Sequence, residues 1–145
     1  MSRFWIAAII VIVSGCATSK TVKMTSPDGR IQVAFTLNRS GQPNYSVQYL
    51  DTVVIANGSL GLKRMDADFS EALRLNSVTG PEAVKENYTL LHGKKREASY
   101  NALRHTVHLS GSSGEPVDII FQVSDEGFAF CYRFPGASEE VKFIT

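Results

Sequence analysis

Apolar and polar positions alternate along most of this chain with a period of two, the signature of strands with one buried face. Residues 20–25 and 30–38 are two such segments, joined by Ser26-Pro27-Asp28-Gly29, a tight-turn sequence. In the second segment Ile31, Val33, Phe35 and Leu37 form the apolar face. Ser40-Gly41-Gln42-Pro43-Asn44 breaks the chain, Tyr45, Val47 and Tyr49 resume the alternation, and residues 52–55 continue it after a turn at Leu50-Asp51. Residues 66–84 are the least patterned part, with Thr79-Gly80-Pro81 as a breaker, and the expectation there is loop with one short strand. Residues 101–109 form a strand with Leu103, His105, Val107 and Leu109 on one side, and residues 110–115 are a Gly/Ser-rich turn. Ile119, Phe121 and Val123 then alternate with Asp118, Ile120 and Gln122, Asp125-Glu126-Gly127 turns the chain, and Phe128, Phe130, Tyr132 and Phe134 share one side. That is a β-hairpin with an aromatic face expected to be core. No helical period appears. Short strands divided by Gly, Pro and Asn turns predict an all-β fold, an antiparallel β-sandwich.

The first residues stand apart. Arg3 precedes an apolar run over residues 4–13, too short to span a bilayer, which reads as a secretory signal. Val13-Ser14-Gly15-Cys16 resembles a bacterial lipoprotein box, so Cys16 is the candidate lipidation site. The alternative is an ordinary signal cut near Ala17. The expected organisation is a lipoprotein signal over residues 1–15, a lipidated N-terminus and tether over 16–20, and a sandwich over 21–145. A lipid anchor at a membrane, without a span, follows from that reading.

Composition narrows the chemistry. If Cys16 is acylated, Cys131 has no disulfide partner, and it is expected to be a small buried hydrophobe. Without residues 1–15 the chain has 14 basic and 14 acidic side chains. Its one local basic cluster, Lys94-Lys95-Arg96, is far from the broad basic face that nucleic acid needs, so no nucleic-acid partner is expected. Asp125 and Glu126 sit on a hairpin tip, and Glu139 and Glu140 point to opposite faces, so no catalytic residue is assigned. His105 and His108, three apart on a strand, also face opposite ways and cannot chelate one ion, so no metal site is assigned. His105 reads as a core histidine. A Ser-His-Asp arrangement is left open, with no nucleophile-elbow motif in its support. Sugar modules stack exposed aromatics on sugar faces. The only tryptophan, Trp5, lies in the signal, which leaves Tyr88 and Tyr100 as carbohydrate-contact candidates.

Four segments occur in a fixed order: Ser26-Pro27-Asp28-Gly29, Ser59-Leu60-Gly61-Leu62, Gly93-Lys94-Lys95-Arg96 preceded by Tyr88, and Ser124-Asp125-Glu126-Gly127-Phe128-Ala129-Phe130-Cys131-Tyr132-Arg133-Phe134-Pro135. Together they resemble the N-terminal domain of glycoside hydrolase family 97, calcium-dependent α-glucosidases and α-galactosidases, over residues 22–145. The resemblance implies a β-super-sandwich packed on a catalytic (β/α)₈ barrel that carries the carboxylate pair and most calcium ligands. It also implies that Thr145 falls before the second half of the super-sandwich and before the barrel. No cofactor is then expected in this chain, with calcium implied for the full enzyme. The partners implied are an α-linked oligosaccharide, met through the missing barrel, and a membrane, met through the anchor. Cys131 departs from the family pattern, which usually has arginine there. The expected function is a non-catalytic N-terminal domain supporting carbohydrate binding and hydrolysis, inactive alone, on a periplasmic or cell-surface bacterial lipoprotein. The alternative is a free-standing lipoprotein module that binds glycans or a protein. An independent hydrolase, turning over nitrophenyl glycosides with added calcium, is a third reading, and no such turnover is expected.

Overall fold

The Ser26-Pro27-Asp28-Gly29 turn shows how local chemistry sets the first hairpin. Gly29 takes a positive φ of 75°, and the Asp28 carboxylate accepts from the Ser26 hydroxyl at 2.6 Å and the Arg30 amide at 3.0 Å. These hydrogen bonds, the Ser26 hydroxyl first, hold the Asp28 carboxyl well below the usual carboxylate range. The Ser26 hydroxyl in turn accepts from the Ile31 amide, so a polar residue can be buried at the hairpin's base.

A computed structural model describes residues 19–89, 91, 97–136 and 144. Strands β1 (Lys20–Thr25), β2 (Ile31–Leu37), β3 (Pro43–Tyr49) and β4 (Thr52–Ser59) form an antiparallel meander in that order. A two-stranded hairpin follows, β5 (Lys63–Arg64) with β6 (Ala67–Asp68). Strands β7 (Arg74–Thr89), β8 (Glu97–Ser110), β9 (Pro116–Ser124) and β10 (Phe128–Arg133) form the second sheet, in the order β10-β9-β8-β7. The two sheets pack face to face as an antiparallel β-sandwich.

The alternating apolar positions meet between the sheets. Val33 and Phe35 from β2 bury against Val107 and Leu109 from β8 and Ile119, Phe121 and Val123 from β9. Phe35 and Phe121 meet edge to face, with centroids 6.0 Å apart. Phe69 and Leu73 belong to the same core. Asp125, on the β9–β10 turn, accepts from the Asp28 amide at 2.9 Å and ties one sheet's hairpin tip to the other's.

Three expectations need correction. Residues 74–84 are strand rather than loop: β7 runs for 16 residues, with register shifts between Leu75 and Ser77 and between Thr79 and Glu82. The Gly80–Pro81 bond, which is cis, falls in the second irregularity. Proline is tolerated there because β7 is an edge strand, where a missing amide interrupts no second ladder. The aromatic row is only partly core. Phe128, Tyr132 and Phe134 pack against the core from half-buried positions, but Phe130 is 38% exposed. It lies on edge strand β10, against Tyr45, Phe121 and Tyr132 but without full cover. Cys131 is exposed rather than buried, because it faces away from the core on that strand.

His105 is a core histidine, 8% exposed on the inner face of β8. Desolvation pushes its pKa below the ordinary 6.5. The unfolded chain therefore binds a proton that the folded chain resists, so folding stability falls as pH drops below about 6.5 and levels off below the folded pKa. Urea midpoints at pH 7.5 and 5.0 should differ, and His105→Leu should reduce the difference. An unchanged difference in the variant would assign it to other groups.

Candidate functional site

The outer face of the second sheet carries the polar side chains, and strand register groups them into rows across the sheet. Glu82, Arg104 and Gln122 stand opposite one another, with Ala129 next on β10. Thr106, Ile120 and Cys131 form the following row. His108, Asp118 and Arg133 form the third. The middle row is short and the outer rows are long, so the face is hollowed into a trough of about 400 Å³ lined by residues of all three rows.

Each wall is braced by its own hydrogen bonds. In the first, Arg104 donates through Nε and Nη2 to Gln122 Oε1 at 3.2 and 3.1 Å, and Gln122 Nε2 donates to the Tyr100 hydroxyl at 2.9 Å. Arg104 Nη1 lies 3.8 Å from a Glu82 carboxylate oxygen, an ion pair too long for a hydrogen bond. In the third row the Asp118 side chain, 4% exposed, receives His108 Nδ1 at 2.7 Å and Arg133 Nε and Nη2 at 2.9 and 2.6 Å. His108 Nε2 lies 2.9 Å from the Thr79 hydroxyl. In the neutral imidazole that donates its Nδ1–H to the Asp118 carboxylate, Nε2 accepts from the Thr79 hydroxyl.

Hydroxyl, imidazole and carboxylate in this order have the connectivity of a hydrolase triad. Thr79 is exposed on the edge strand and is not among the residues lining the trough. Of this wall only Arg133 lines the trough, and the relay holds it there through Asp118. Glycoside hydrolysis needs two carboxylates working together. Of the acids here, Asp118 is neutralised by Arg133 and Glu82 stands alone in the trough. Among the described residues no three His, Cys, Asp or Glu side chains gather to hold a metal ion.

Tyr88 and Tyr100 come onto one face. Residues 85–89 and 97–101 pair only with each other, beyond the end of β9, as a ribbon projecting about 17 Å at ~3.4 Å per residue. Tyr88 stands opposite Ala98 and Tyr100 opposite Glu86, both on the side that carries Arg104. Tyr88 is 49% exposed. Tyr100 is half-buried and leans along β8 past the fully buried Ala102 to reach Gln122. Cys16, Lys94-Lys95-Arg96 and Glu139-Glu140 lie outside the described residues. His108, Asp118 and Arg104 were missed as partners in sequence; outward positions at period two on β8 and β9 were the available signal.

The glycosyl-hydrolase 97 N-terminal family model matches residues 24–145. The chain belongs to that family. This family 97 N-terminal domain is 29% identical over 117 residues to a Streptomyces bingchenggensis (strain BCW-1) protein described as "Probable retaining alpha-galactosidase", covering 81% of this chain and 18% of that one. Among solved structures it resembles a β-arabinopyranosidase with a TM-score of 0.74 and 28% identity, over 80% of this chain and 18% of the other. A family 97 glycoside hydrolase from Pseudoalteromonas sp. strain K8, solved with acarbose, superposes with a TM-score of 0.71 at 23% identity, over 81% and 18%. That last likeness is one of fold. The family 97 N-terminal domain thus spans about a fifth of the length of these relatives.

Proposed function

We propose that this chain is the non-catalytic N-terminal sandwich of an exported family 97 glycoside hydrolase acting on α-linked oligosaccharides. A (β/α)₈ barrel elsewhere in the protein supplies the carboxylate pair. The observation that carries this reading is a family match over residues 24–145 on a domain whose trough is lined by one carboxylate, Glu82, where hydrolysis needs two. The calcium that the family resemblance implies is assigned in this reading to the barrel. Residues 1–15 act as the export signal and Cys16 carries the lipid, at the periplasmic or outer surface of a bacterial membrane. In this role the sandwich is a rigid support, its tightly packed core fixing the position of loops beside the barrel.

The test compares the chain alone with the chain joined to a family 97 barrel, on nitrophenyl α-glucoside and α-galactoside with and without calcium. The chain alone gives no turnover, and the joined protein gives calcium-dependent turnover. Hydrolysis by the isolated chain would overturn the non-catalytic assignment.

A further inference from the structure

We propose that the outer-face trough is a saccharide-binding site that takes one end of a neutral pyranose oligosaccharide. The inference rests on the carbohydrate role assigned above and adds the residues and the ligand chemistry.

Four features select that ligand. The first is charge. Glu82 and Arg104 offset each other on one side of the trough, and Arg133, which lines the other, is paired at 2.6 Å with Asp118, which does not line it. A charged ligand would meet no excess of the opposite sign, so the trough favours a neutral one. The second is the pairing of groups on the first wall. Arg104 Nη1, a donor, and the Glu82 carboxylate, an acceptor, stand 3.8 Å apart without bonding each other. Two neighbouring sugar hydroxyls, each both donor and acceptor, can engage both groups at once.

The third is preorganisation. Arg104 is already held by Gln122, and Gln122 by Tyr100, so the donor is oriented before a ligand arrives and less side-chain entropy is lost on binding. The fourth is the floor, where Ile120, Ala129 and Cys131 offer a small apolar surface to the C–H face of a ring. An apolar side chain from another domain could cover that floor, but it would take the Arg104–Glu82 ion pair out of water without giving Arg104 Nη1 or the Glu82 carboxylate a hydrogen bond, a penalised arrangement. The volume, about 400 Å³, falls in the range of small-molecule sites, roughly 300–1,000 Å³. Tyr88 is on the same face but about 20 Å further along β8, six residues at ~3.4 Å, so it does not contact a ring in the trough.

Cys131 on the floor supplies the readout. In the full chain with Cys16→Ser it is the one thiol, and its alkylation by iodoacetamide reports occupancy. Maltopentaose and cellopentaose are the probes, titrated by calorimetry and by protection of Cys131. Binding at millimolar or tighter affinity, with slowed alkylation, is the expected result. Arg104→Ala should weaken it by about tenfold, the worth of one charge-assisted hydrogen bond. Cys131→Phe, which fills the floor, should abolish it; circular dichroism checks that both variants fold. Absence of binding by either sugar, or binding unchanged in both variants, would overturn the inference. So would protection of Cys131 without sugar in the protein joined to a barrel, since another domain would then cover the trough. Binding of cellopentaose alone keeps the site and removes its α-linked ligand. These readouts need no turnover, so a barrel fusion without activity would count against the proposed function and leave this inference standing.

Discussion

Phe121→Ala is expected to bring the domain close to unfolding under native conditions, with a loss of about 3–5 kcal/mol. Phe121 is fully buried at the centre of β9. Its ring meets Phe35 across the sandwich at 6.0 Å and Phe130 on β10 at 6.0 Å. Removing it empties a space lined from both sheets, and the β-ladders on either side of β9 prevent the backbone from collapsing into it. Small domains are stable by roughly 5–15 kcal/mol, so the loss is a large share of the total. Phe130→Ala provides the contrast. At 38% exposed, that ring has already kept much of its contact with water, and its removal should cost less than half as much. Urea denaturation of both variants, compared with the parent chain, measures the pair. A Phe121→Ala loss below about 1.5 kcal/mol would mean that the two sheets do not meet through this ring.

The same packing explains which parts of the fold were legible in sequence. Ile31, Val33, Phe35 and Leu37 alternate in sequence and are all buried, because β2 lies inside its sheet with one face on the core and one in water. The β9–β10 hairpin was legible for the same reason, down to the Asp125-Glu126-Gly127 turn. Strand β7 was not. It lies at an edge, nearly all of its 16 positions are exposed, and a strand with two wet faces has no alternation to read. Its pairing comes from β8, a long-range partner that local pattern does not reveal. Cys131 and Phe130 were misjudged in opposite directions for one cause. Alternation assigned their faces correctly, but how well each face of β10 is covered depends on its place at the edge of the sheet. The trough lay furthest from the sequence. Its residues come from four strands, and which of them share a row depends on the register shifts between Leu75 and Ser77 and between Thr79 and Glu82. Period two marks Arg104, Gln122 and Asp118 as outward, and nothing shorter-range makes them neighbours. The four motifs that carry the family resemblance are turns and core positions, so they identify the fold without marking a site.

Gly41→Ala and Gly29→Ala should separate backbone strain from steric overlap, since both glycines have a φ of 75°. Left-handed backbone costs an alanine roughly 1–2 kcal/mol at either position. At Gly29 that is the whole effect, because a Cβ there would meet nothing within 4 Å. At Gly41 a Cβ would lie 2.5 Å from the Leu73 amide nitrogen, 2.7 Å from its carbonyl oxygen and 2.8 Å from the Ala72 carbonyl carbon. All three are backbone atoms and cannot swing aside as a side chain would. The segment must move, and it is held there by hydrogen bonds from the Leu73 amide to Gly41 and from the Ala72 amide to Ser40, at 3.0 and 2.9 Å. Each is worth about 1 kcal/mol. Moving them also draws the buried Leu73 out of the core. Gly41→Ala should therefore lose at least about 3 kcal/mol, the strain and two hydrogen bonds together. Chemical denaturation at pH 7.5 compares the two. Equal losses would show that the β2–β3 turn and the residue 72–73 segment are not in contact in solution.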